Sequence, residues 1–170
     1  MGTLSRAKGD FRGTPLSRDE FDSRSLVAVL YRPRAKYSWA TGVAVGRFLT
    51  ELKGGRIIAR RCRRCERVVV PPRIFCEWCF RPNDEWVYIP DTGIVNTFSI
   101  SHIAADTSRL KDPVIPAVVS LDGTTDGGLL HLIGEVKPAE VRIGMRVKAV
   151  WKKPQDRRAS ITDISHFKPM

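Results

Sequence analysis

The chain has little of what would mark an enzyme, a membrane protein or a secreted one. Its longest unbroken apolar run, Leu26 to Tyr31, is far too short to cross a bilayer. No apolar segment follows a basic start, so no secretory leader is read and a cytoplasmic location is the expectation. There is no G-x-S-x-G and no P-loop. Only three histidines occur, His102, His131 and His166, scattered and each beside strand-like residues, where a histidine satisfied within a sheet is the ordinary reading. Asp106, Asp122 and Asp126 fall in turn-like segments, where aspartate is expected for backbone reasons. Cysteine is absent everywhere except between positions 62 and 79. An enzyme acting alone is therefore disfavoured.

What is present is a globular composition, 42% hydrophobic and 28% charged, in 170 residues, the size of one ordinary domain or two very small ones. The net charge of +11 is unevenly placed. Residues 1–81 hold 18 Lys/Arg against 7 Asp/Glu, whereas residues 82–170 hold 11 of each. The basic half suits phosphates or an acidic protein partner.

Residues 1–38 read as a polar, charged extension, with Ser17 to Glu20 able to cap a short helix. Leu26–Tyr31 reads as a short strand or a helical turn. Residues 39–55 form a helical segment: Thr41 offers an N-cap, Val45, Phe48, Leu49 and Leu52 recur at helical spacing, and Gly54-Gly55 supplies the stop. A strand over Arg56–Arg60 feeds the cysteines of a zinc ribbon at 56–90. From 91 to 170 short β-rich stretches alternate with turns: Gly93–Ile103, Ile115–Leu121, Leu129–Val136, Arg146–Trp151 and Ile161–Phe167. Five such strands suggest a small barrel, of which the OB-fold is the commonest version, with a sandwich fragment as the alternative. The class is mainly β.

Cys62, Cys65, Cys76 and Cys79 form C-x2-C, ten residues, C-x2-C. Each C-x2-C can wrap a knuckle that aims two sulfurs at one ion, and two knuckles complete a tetrahedron of thiolates. Disulfides within C-x2-C are strained, and nothing favours oxidation. Four protein ligands leave no open position for water, so a structural metal is expected, zinc ahead of iron.

The run Cys62-Arg-Arg-Cys65-Glu-Arg-Val-Val-Val-Pro-Pro-Arg73-Ile-Phe-Cys76-Glu-Trp-Cys79 resembles the DUF35-type family, a rubredoxin-like zinc ribbon joined to an acyl-CoA-associated OB-fold. Gly93-Ile-Val-Asn-Thr-Phe-Ser99, Pro116-Ala-Val-Val-Ser-Leu-Asp122 and Ile143-Gly-Met-Arg-Val-Lys148 are similar to its barrel, and the resemblance covers about residues 39–168. It implies a non-catalytic accessory subunit in a hetero-oligomer with a thiolase-fold enzyme of acyl-CoA metabolism. That partner carries the catalytic cysteine and histidines, while the accessory subunit helps form the CoA or acyl-CoA site. The extension 1–38 is not explained by the resemblance.

Arg60, Arg61, Arg63, Arg64 and Arg73 are the candidates for CoA phosphates or a partner, against the plainer reading of a solvated basic surface. Pro71-Pro72 most simply fixes the chain between knuckles. Trp39 and Tyr37 could anchor a partner, although packing of the helix on its own domain is commoner. Trp78, within the second knuckle, reads as an exposed or half-buried residue able to face a ligand. The competing class is a single-stranded nucleic-acid-binding module, since ribbons, OB-folds and a pI near 10.0 occur there too. Against it, residues 82–170 are charge-neutral, and the aromatics from Gly93 on are only Phe98, Trp151 and Phe167.

Overall fold

A computed structural model describes residues 17–23, 38–104 and 108–170. Leu26–Tyr31, Tyr37 and Asp106 lie outside the described residues. Residues 1–38 and 39–170 are separate compact units. In the first, helix α1 spans Arg18–Asp22. Its start is the expected box: the Glu20 amide donates to Ser17 Oγ at 3.2 Å, and Glu20 Oε2 accepts from the Ser17 amide at 2.9 Å.

The second unit opens with helix α2, Gly42–Lys53. Ala44, Phe48 and Leu52, four residues apart, make its buried stripe, and Leu49 packs beside it. Two local expectations are corrected. Val45 lies off that stripe and is exposed. Thr41 does not cap through its side chain, because its own backbone is already helical at φ −72°, ψ −13°. Gly55, at φ +74°, ends the helix in the left-handed region that favours glycine.

Strands β1 (Ile57–Cys62), β2 (Arg67–Val70) and β3 (Glu85–Ile89) form an antiparallel ribbon sheet in the order β3-β1-β2. After it come β4 (Thr92–Phe98), β5 (Ser101–Ile103), β6 (Arg109–Leu121), β7 (Asp126–Gly127), β8 (Leu129–Ile133), β9 (Arg146–Trp151) and β10 (Ile164–Pro169). Neighbours run β4-β9-β10-β8-β6, and β4 pairs again with β6, so five strands close a barrel. All the barrel pairings are antiparallel except β10 with β8, joined parallel at Phe167 and Ile133. The single strand expected over Gly93–Ile103 is two, β4 and β5, and β5 pairs with the N-terminal part of β6. Residues 161–163, read as strand, form a 3-10 turn that leads into β10.

Alternation places Ile115, Ala117, Val119 and Leu121 of β6 inward. They meet Val95, Leu129, Val147, Ile164 and Phe167 in one core that also takes in Phe48 and Leu52 of α2 and Ile57, Ile58, Val68 and Val70 of the ribbon. The ribbon's base is thus part of the barrel's core. The loop before β7 adds hydrogen bonds: the Val68 amide donates to Thr125 Oγ1 at 2.9 Å, and the Thr125 amide to the Val68 carbonyl at 3.0 Å. Where β4 crosses β6 the backbones approach so closely that a Cβ on Gly93 would sit 2.3 Å from the Ser120 carbonyl oxygen.

Candidate metal centre and basic ribbon surface

The two knuckles are built alike. The first is the turn between β1 and β2, which carries Cys62 and Cys65 and ends on Glu66 at φ +55°. The second lies in a hairpin over 74–83, where Phe75 bridges Pro82 and the Cys76 amide donates to the Arg81 carbonyl at 2.8 Å. The Phe80 amide returns to the Cys76 carbonyl at 2.8 Å, and Phe80 sits at φ +57°. In each knuckle the residue after the second cysteine is therefore left-handed.

The four sulfurs lie within 4.8 Å of one another, and Cys62 Sγ is 3.6 Å from Cys79 Sγ. None is in a disulfide. A tetrahedron with Zn–S of about 2.3 Å places its sulfurs about 3.8 Å apart, so the donor set fits zinc in a closed structural site. Burial and the neighbouring thiols push the Cys65 thiol up to about 12. Burial would also raise Cys76, but the amides of Cys79 and Trp78 donate to its sulfur and bring it down to about 6. N–H donors aimed at a sulfur favour the thiolate, and a divalent cation lets all four ionise together.

Around the cluster the side chains tie one knuckle to the other. Arg67, 5% exposed on β2, has Nη2 3.1 Å from Glu77 Oε1 and its guanidinium 4.1 Å from the Trp78 ring centre. Arg73 holds the other Glu77 oxygen at 2.9 Å. Burial acts to raise Glu77, but the Arg67 hydrogen bond and both guanidinium charges hold its carboxyl below the ordinary range. Buried Asn83 donates to the Arg73 carbonyl at 2.9 Å, and its own carbonyl accepts from Arg60 Nη2. This buried web was not legible in the cysteine spacing, since Arg67 and Asn83 stand among many polar residues with no periodicity to distinguish them.

The five candidate arginines are differently placed. Arg60 turns inward to Asn83 and stacks on Trp86 at 4.7 Å, the ring that Arg47 also covers at 4.5 Å. Arg61 and Arg63 each stand 3.8 Å from Glu85. Arg73 is engaged with Glu77. Arg64 is exposed and forms no ion pair among the described residues. Trp78 is exposed at the knuckle. Trp39 is exposed too.

On the barrel, Asp122 accepts both nitrogens of Arg146 at 2.7 Å and a hydrogen bond from Thr92 Oγ1, which bring its carboxyl down to about 2. Asp122 and Arg146 line a cleft of about 480 Å³ with Asn96, Ser120 and Thr124. Asp122 is thus more than a turn residue: it locks β4 to β9 next to their crossing with β6. His131 Nε2 lies 3.2 Å from the Ile161 carbonyl while Nδ1 accepts from the Leu132 amide, and burial keeps its pKa low. His166 lies 3.0 Å from Glu135. No helix among the described residues is long and apolar enough to cross a membrane.

Sequence profiles match two adjoining segments: the rubredoxin-like zinc ribbon domain of ChsH2 over residues 50–85, and its C-terminal OB-fold domain over residues 86–152. A DUF35 domain-containing scaffold protein of Methanocaldococcus jannaschii is 31% identical over 98 residues, 57% of this chain and 68% of that one. A DUF35 protein of unknown function from Sulfolobus solfataricus superposes with a TM-score of 0.57 at 26% identity, over 76% of this chain and 86% of that one. The Ltp2–ChsH2(DUF35) aldolase superposes with a TM-score of 0.56 over 81% of this chain and 98% of that one, at 21% identity, a likeness of fold alone. With its four-cysteine ribbon set on a closed five-strand barrel, the chain belongs to the DUF35 family.

Proposed function

We propose that this chain is a non-catalytic scaffold subunit, which pairs with a thiolase-fold enzyme of acyl-CoA metabolism and helps bind CoA or acyl-CoA. The observation that carries the reading is the gathering of all four cysteines of the chain into one closed cluster. Thiolase chemistry needs a nucleophilic cysteine, and none is left over to supply it. The archaeal relative is a scaffold protein by name, and one structural neighbour is an aldolase made with a second protein, Ltp2. Both support a positional role. The zinc centre would hold the ribbon rigid, and the partner would do the chemistry.

Of the five candidate arginines, Arg64 and Arg63 are the ones that would serve CoA phosphates. Arg60 and Arg73 hold the ribbon together, whereas Arg64 is uncommitted; Arg61 and Arg63 share a 3.8 Å contact with Glu85, but the Arg63 side chain is the more exposed, 71% against 39%. The test is affinity purification of the full chain from native extract, followed by an acyl-CoA cleavage assay on what co-purifies. A stoichiometric thiolase-fold protein, active only with this chain present, is the expected result. The Arg63→Ala/Arg64→Ala variant should then bind CoA about tenfold more weakly within the complex. Recovery of nucleic acid alone, lost at moderate salt through counterion release, would replace this reading with the single-stranded nucleic-acid module.

A further inference from the structure

Hairpin 74–83 carries a surface that the metal centre does not use. Ile74, Phe75, Trp78 and Phe80 expose 56, 52, 66 and 79% of their area. Four large apolar side chains crowded on one short hairpin exceed the scatter of single exposed residues that any surface shows. The hairpin's own integrity is met elsewhere, by Cys76 and Cys79, by the Arg67–Glu77 pair and by Asn83.

Phe80 is the informative residue. At φ +57° it occupies backbone space that suits glycine, and a bulky aromatic there is strained. The matching residue of the first knuckle, Glu66 at φ +55°, is polar and sits comfortably in water. Phe80 incurs both backbone strain and a solvent-exposed ring, and it takes no part in the hydrophobic core. A contact outside the chain would return that cost. The knuckle is held by its metal cluster, so the side chains are presented without the ordering penalty that a mobile loop incurs on binding.

Charge narrows the occupant. Arg81, next to Phe80 in the chain, is exposed and forms no ion pair among the described residues. The apolar patch therefore has a cation at its border. A second copy of this chain, packed through a two-fold contact, would set that border against itself. A single-stranded nucleic acid would want a positive track for its phosphates, yet Arg67 and Arg73 beside the hairpin are already paired with Glu77, and one face of Trp78 is covered by Arg67. A protein surface with an apolar depression bordered by Asp and Glu satisfies both features.

We propose that hairpin 74–83 is the docking face for the thiolase-fold subunit, with Phe80 as its anchor and Arg81 meeting a carboxylate on that subunit. This rests on the scaffold reading above. The test uses the full zinc-loaded chain and the thiolase-fold protein recovered by co-purification, with affinity measured by calorimetry for wild type, Phe80→Gly and a control, Leu130→Ser, at an exposed position of β8. Phe80→Gly removes the backbone strain, so it should keep its zinc and melt at or above the wild-type temperature. It should nevertheless bind at least about tenfold more weakly, while Leu130→Ser binds as wild type. Amide exchange should slow across 74–83 only in the complex. If the complex forms and Phe80→Gly binds it unimpaired, the docking face is refuted and the scaffold reading stands. If wild type pairs with no thiolase-fold protein, both fall. If instead the wild-type patch drives self-association or oligonucleotide binding that Phe80→Gly abolishes, the hairpin belongs to that occupant and the proposal is overturned.

Discussion

Replacing Arg67 with methionine isolates what the buried arginine contributes to the metal centre. Methionine keeps the length and most of the volume of the aliphatic stem while deleting the charge. Arg67 is 5% exposed, 3.1 Å from Glu77 and 4.1 Å from the centre of the Trp78 ring, so it bridges β2 to the second knuckle. A charge-assisted hydrogen bond in such a place contributes about 1.5–3 kcal/mol, and a cation–π contact to a ring that is itself exposed about 0.5–1 kcal/mol. Two effects reduce the loss. Methionine avoids the desolvation cost of a buried charge. Glu77 also keeps Arg73 at 2.9 Å and remains partly open to water, so it is not stranded. The balance is a destabilisation of about 2 kcal/mol, which for a chain of this size lowers the melting temperature by about 4–8 °C. Urea unfolding of the zinc-loaded proteins, followed by tryptophan fluorescence, reads the first quantity, and zinc transfer to a competing chelator reads the second effect, a faster release. The sign with pH follows from Glu77. Its carboxyl is held below the ordinary range in the folded state, so its contribution is present above the unfolded value and lost as pH falls. The gap between wild type and variant should therefore narrow in acid. A difference under about 0.5 kcal/mol at neutral pH, with unchanged zinc release, would refute the bridging argument.

The purified chain should hold about one zinc. Chelation should speed amide exchange in the two knuckles while β4, β6 and β9 stay protected, because the ribbon base is anchored in the barrel core; a metal-free protein with undisturbed knuckles would contradict this. Asp122, brought from 3.8 to about 2 by Arg146 and Thr92, stabilises the fold above its unfolded value and loses that contribution as pH falls from about 4 towards 2. The full linkage value of about 2.4 kcal/mol shrinks to about 1 kcal/mol at this partly exposed pair. Asp122→Asn should remove that acid-sensitive increment, and an acid denaturation midpoint identical to wild type would count against it.

The cysteine pattern by itself determined the metal centre, because C-x2-C carries its own geometry: a local turn aims both sulfurs whatever surrounds it. The Thr41–Gly55 segment and the turn-separated strands were legible for the same reason, since hydrophobic period and glycine punctuation act over a few residues. Tertiary structure decided what depends on distant partners. Ring closure of β4 on β6, the parallel pairing of β10 with β8 and the merging of ribbon and barrel into one core join residues far apart in the chain. The candidate arginines show the division most clearly. Their positive charge is written in the sequence, but which are consumed inside the ribbon and which stay at the surface was settled by Asn83, Trp86, Glu77 and Glu85, brought to them by the β1–β3 pairing and the second knuckle. A guanidinium's role depends on the carboxylate or ring within a few ångströms of it, and only the folded chain sets that distance.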